Sequence, residues 1–277
     1  MRLVVWLLCG ALGLGAVTRE ECFPVERLTP EDRRKSDEWL LKSLDEVSLF
    51  TFIGGLKPMS ISFTTVTLDL NNGDPEPAEQ LRRIAAAWRC GEELLTDAYT
   101  YGAAFEPGKK TLHGVVIHKP AFAQMIRRHQ AHFLPQGITP SANPMEVLMA
   151  VNYNWQDQLG NGLLIGYPLH ATEFFEAAMK ETERIGLFLK RDFRAIPTYA
   201  TGHKVNRFVY AVPPDEDELA EDREIRGRAA AILAEYKRRR DKYVGDGKPG
   251  VVELLRDWFH DGAGNYSARY AKVPDAR

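Results

Sequence analysis

The segment Gly166-Tyr167-Pro168-Leu169-His170-Ala171-Thr172-Glu173 places a histidine and a carboxylate three residues apart. On a helix that spacing brings two side chains within reach of one ligand, and a His-x-x-Glu pair can hold a metal. His203, on the polar stretch Thr198-Tyr199-Ala200-Thr201-Gly202-His203, supplies a possible third ligand. His170, Glu173 and His203 together would leave an open coordination position on zinc or another divalent metal, the arrangement that activates water for hydrolysis. No His-Glu-x-x-His run accompanies them. An acid in a first helical turn is also favoured by the helix dipole alone. The helical period sets His170 at the edge of an apolar face formed by Ala171, Phe174, Phe175 and Ala178, with Glu173 on the far side.

Gly54-Gly55-Leu56-Lys57-Pro58 is a second local oddity. Two glycines permit unusual backbone angles, and a residue before proline is held extended. Backbone amides with Lys57 could cradle an anion, although the Walker spacing of glycines is absent. His129 falls in an apolar helical stripe and His132 borders it, which predicts a hydrogen-bonded core histidine or a proton-transfer group. The basic run from Lys237 to Lys242 ends a helix that starts acidic, a polarity that suits the dipole. Neither a Gly-x-Ser-x-Gly elbow nor a Cys-x-x-Cys pair occurs.

Two functions follow from these residues. One is an exported, non-enzymatic protein that binds a small-molecule ligand or a protein partner near Lys57, Tyr167, His170, Glu173 and His203, in a groove lined by aromatics such as Tyr167, Phe174 and Tyr199. The other is a periplasmic, metal-assisted hydrolase using His170, Glu173 and His203. The lack of a complete motif favours the first.

The elements that must position these residues are partly legible. Thr29-Pro30-Glu31-Asp32 starts a helix over 29–47, with a cap, a proline at the first helical position and acids in the first turn. Residues 60–70 alternate and are β-branched, predicting a strand. A helix is expected over 77–97, then a hairpin whose turn is Pro107-Gly108, and helices over 120–133, 144–156 and 168–189. A strand over 206–212, a long helix over 215–243 and a last helix over 250–259 complete the reading. Strands gathered in a hairpin rather than alternating with helices predict an α+β fold, a helix-rich single domain over 17–277 around a small antiparallel sheet. A subdivision near 134–144 is the one candidate boundary.

Residues 1–16 read as a cleaved signal peptide. Arg2 precedes an apolar run of about fifteen residues that ends in small residues. That run is short for a bilayer span, and no second one exists, so no stable membrane span is expected after cleavage. Export leads to the periplasm or the exterior. The hydrophobic fraction of 44% and charged fraction of 27% are those of a folded globular chain. Of 36 basic residues only Arg2 lies in the leader, so 35 face 38 acidic ones afterwards. That near balance argues against nucleic acid as a partner. Cleavage removes Cys9 and leaves Cys22 and Cys90, which predicts one disulfide tying the N-terminus to a helix.

Overall fold

A computed structural model describes residues 17–100, 107–153, 157–200 and 208–273. The expected signal peptide and His203 lie outside these residues. The architecture is α+β: helices surround a three-stranded antiparallel sheet, with a separate two-stranded ribbon. In chain order come α1 (Pro30–Ser43), a π-helical turn (Leu44–Ser48), α2 (Leu49–Phe52), β1 (Met59–Asp69), α3 (Glu76–Ala86), β2 (Leu94–Thr100) and β3 (Lys109–His118). Then follow α4 (Lys119–Arg128), α5 (Gln130–Phe133), α6 (Pro144–Tyr153), α7 (Gln158–Leu164) and α8 (Leu169–Ile185). The ribbon strands β4 (Asp192–Ala195) and β5 (Val209–Val212), with α9 (Ala220–Tyr243) and α10 (Val251–Trp258), end the series.

The sheet has the order β1-β3-β2, so β3 is central. Its side chains alternate between two cores, as strand geometry requires. Leu112 and Val116 join a cluster with Leu40, Trp88, Ile232 and Trp258. Val115 and Ile117 join a second cluster with Phe122, Phe133, Leu148 and Leu163. Helices therefore cover both faces. Gly114 of β3 has no side chain because the Phe63 ring crosses it: a Cβ there would lie 2.3 Å from Phe63 Cζ. Phe63 in turn packs on Trp88, with ring centroids 4.6 Å apart. Ile138, in the expected boundary segment, is buried in the second cluster.

Several expected elements differ in extent. The Thr29 cap is present, its hydroxyl accepting from the Asp32 amide at 3.2 Å. The helix predicted over 77–97 stops at Ala86, and Leu94 and Leu95 belong to β2, where they pair with His118 and Ile117. Gly91, at φ +71, marks the break. Cys22 and Cys90 form the expected disulfide, but Cys90 sits in this post-helical turn, not on a helix. The helix predicted over 120–133 breaks at His129, whose φ is −114°, so the stripe assigned to it was that of two helices. The helix predicted over 168–189 ends at Ile185, because Gly186 takes the left-handed conformation (φ 70°).

Candidate functional site

The Gly54–Pro58 loop meets the turn that leads into α8. Gly166 has φ +85, and a Cβ on it would lie 3.0 Å from Lys57 Cα and 3.2 Å from the Leu56 carbonyl. Only glycine supplies both that backbone conformation and that closeness. The 54–58 loop is tied to its neighbours by the Lys57 amide, which donates to the Phe50 carbonyl at 3.1 Å, and by the His118 amide, which donates to Pro58 at 2.9 Å.

Lys57 does not face outward to cradle an anion. It is 3% exposed. Its Nζ donates to the Val47 carbonyl at 3.4 Å and lies 5.3 Å over the Phe208 ring. No carboxylate pairs with it among the described residues. Burial without a counter-ion pushes the amine down to about 7.

Tyr167 stacks on the same Phe208 ring, centroids 6.1 Å apart and planes 11° from parallel. It also packs against Tyr210 at 5.7 Å. Burial pushes its hydroxyl up to about 12, partly offset by a hydrogen bond from the Val209 backbone. Tyr167 lines two cavities. One, of about 220 Å³, is a polar cleft between the 54–58 loop, α4 and the start of α9, with His118, His129, Arg128 and Glu221 on its walls. The other, of about 300 Å³, is an apolar groove between α7, α8 and the ribbon, lined by Tyr167, Ile165, Ala171, Phe175, Phe193 and Ala211, among others.

The ribbon explains the groove. Phe193 pairs with Ala211 and Arg194 with Tyr210 across the two strands, and directly paired residues share a face. Phe193, Ala211 and Tyr210 line the groove, while the Arg194 guanidinium and the Tyr210 hydroxyl reach into the interior. There they converge on Asp222, in the first turn of α9, which is 1% exposed. Asp222 accepts from the Tyr210 hydroxyl at 2.6 Å, from the Leu219 amide at 2.9 Å and from a guanidinium N–H of Arg194. His170 Nε2 lies 3.1 Å from its Oδ1, and His170 Nδ1 lies 3.6 Å from Glu216. Burial alone would raise the Asp222 carboxyl; the hydrogen bonds from Tyr210 and Leu219 and the adjacent His170 outweigh it and hold the carboxyl below its usual range. Burial and the same bond push the Tyr210 hydroxyl up.

Tyr167 and Lys57 therefore share one aromatic cluster, and His170 joins it through Tyr210 and Asp222. Glu173 does not join: it is exposed, as the helical period predicts, and His170 turns instead to Asp222 and Glu216. Among the described residues no group of three or more His, Cys, Asp or Glu is placed to hold a metal ion. The aromatic wall is Tyr167, Phe175, Phe193 and Tyr210, not Phe174 and Tyr199; Tyr199 packs on Arg240 and Tyr236. Arg194, Tyr210 and Asp222 were not legible beforehand. The stretch Asp192-Phe193-Arg194-Ala195 is too short to show a period, and Asp222 reads as one more acid at a helix start. The Lys237–Lys242 run is largely structural, with Arg239 bonded to Glu235 and Arg240 to Asp45.

Comparison with protein-family models, with curated proteins and with solved structures finds no match for this chain.

Proposed function

We propose that this chain is an exported ligand-binding protein that takes a small apolar group into the groove between α7, α8 and the ribbon. One observation carries the reading. Phe193 projects from a short strand at the groove with 63% of its surface exposed, above a preformed apolar cavity of about 300 Å³. Concave, mostly apolar cavities with few polar groups are the usual form of small-ligand sites. The Asp222 network behind the ribbon holds the groove wall in place. The buried disulfide between Cys22 and Cys90 and the apolar first sixteen residues support export.

The test uses 1-naphthol, a neutral aromatic probe, titrated into the purified protein and followed by its fluorescence. Binding is expected to weaken about tenfold in Phe193→Asp, since the ring that would cover the probe is replaced by a charge. Phe193 is exposed, so this variant keeps the fold. Absence of binding by the natural protein, or equal binding by the variant, contradicts the reading. Stoichiometric zinc, iron or manganese in the exported protein, lost in His170→Ala, would favour the hydrolase instead.

A further inference from the structure

Arg191 stands two residues before Phe193, where the chain enters β4. It is 8% exposed. Its guanidinium lies 3.9 Å over the Phe188 ring centroid and 5.2 Å over that of Phe175, and Phe175 also lines the apolar groove. Nε donates to the Leu189 carbonyl at 3.3 Å. Among the described residues, buried Nη2 has no hydrogen-bond partner and no carboxylate pairs with the guanidinium. Guanidinium cannot shed its proton at physiological pH, and a buried N–H without an acceptor is costly. Aromatic faces offset part of that cost through cation–π attraction, but they give the Nη2 protons no acceptor.

We infer that the groove binds an apolar monocarboxylate, its hydrocarbon body against Phe175, Phe193 and Ile165 and its carboxylate on Nη2 of Arg191. This rests on the groove being a ligand site and names its ligand class. A carboxylate supplies the acceptor that the guanidinium lacks, in the charge-assisted geometry that arginine favours. Phe188 is 71% exposed, so its ring can turn aside on the nanosecond timescale of exposed side chains and open the guanidinium edge to the ligand. A neutral apolar ligand would fill the groove and leave Nη2 without a partner.

The experiment compares 1-naphthoate with 1-naphthol at neutral pH, on the natural protein and on Arg191→Met and Arg191→Gln. Naphthoate is expected to bind about tenfold or more tighter than naphthol, the ratio a charge-assisted hydrogen bond gives. Both variants are expected to retain naphthol binding, which also reports that they fold, and to lose the preference for naphthoate. Equal affinity for the two probes on the natural protein overturns the carboxylate while leaving the groove intact. A naphthoate preference that survives in both variants overturns the role of Arg191. Failure of both probes on the natural protein overturns the groove itself.

Discussion

The Tyr210 hydroxyl donates to Asp222 across 2.6 Å, and this bond joins the back of the groove wall to the buried first turn of α9. Asp222 also receives Arg194, so removing its charge leaves a largely buried guanidinium without its main counter-ion. Asp222→Asn is expected to lower unfolding free energy by about 3–5 kcal/mol, the usual cost of breaking one partner out of a buried pair. Tyr210→Phe, which removes one hydrogen bond, should cost about 1 kcal/mol. Urea unfolding measures both. A loss below about 1 kcal/mol for Asp222→Asn would show that the network does not hold the ribbon.

Lys57 gives a pH signature. Its amine is lowered from 10.5 to about 7 in the folded protein, so between those values the unfolded chain binds a proton that the folded one does not. Stability from this group therefore rises with pH across that window, and the penalty is full below about 7. The expected outcome is that Lys57→Met is more stable than the natural protein at pH 7. The difference should shrink toward pH 10. Melting temperatures of the two proteins at matched pH values check this; parallel curves would show that Lys57 is charged and paired in the folded state.

The disulfide closes the chain over a separation of 68 residues. In the chain-entropy account a loop of that length contributes about 4 kcal/mol. The Cys22→Ala, Cys90→Ala double variant is expected to lose roughly that much in urea unfolding and to melt well below the oxidised protein. Both sulfurs are held in the bond, so the oxidised protein from residue 17 onward should show no thiol reactive with a maleimide reagent, folded or in urea, until a reductant is added. A reactive thiol before reduction would contradict the pairing.

Gly166 tests the meeting of the two loops. Alanine there combines a left-handed backbone with a Cβ 3.0 Å from Lys57 Cα, a backbone atom that cannot swing aside. Gly166→Ala is expected to cost about 1–3 kcal/mol and to weaken 1-naphthol binding, because Tyr167 follows it. Gly73→Ala, at φ +64 with nothing within 4 Å among the described residues, carries the backbone strain alone and should cost less. Equal costs would mean that the 54–58 loop does not press on Gly166.

What could be read from the chain was local. The Thr29 cap, the alternation of β1, the hairpin joining β2 and β3, and the pairing of Cys22 with Cys90 each rest on neighbouring residues or on a count. The ends of α3 and α8 were missed because each helical stripe continues past a glycine, Gly91 or Gly186, that takes a positive φ. Asp222 was missed for a different reason. Two of its charged or polar partners lie far away in sequence, His170 by 52 residues and Arg194 by 28, and no spacing rule reaches that distance. The first turn of α8 and the Gly54–Pro58 loop, expected to be neighbours because function concentrates at loops and helix starts, are joined where Gly166 meets Lys57. The partners differ from those expected: His170 is held by Asp222 rather than joined to Glu173, and Lys57 points inward.

The proposed ligand enters the groove, not the polar cleft on the other side of Tyr167. Backbone amide chemical shifts of the labelled protein, recorded as 1-naphthol is added, test it most directly. The changes are expected to concentrate at Ala171, Thr172, Phe193, Val209 and Ala211, which line the groove. Changes centred instead on Gly55, Gln124, Arg128 and Arg228, which line the cleft, or no changes at all, would contradict it.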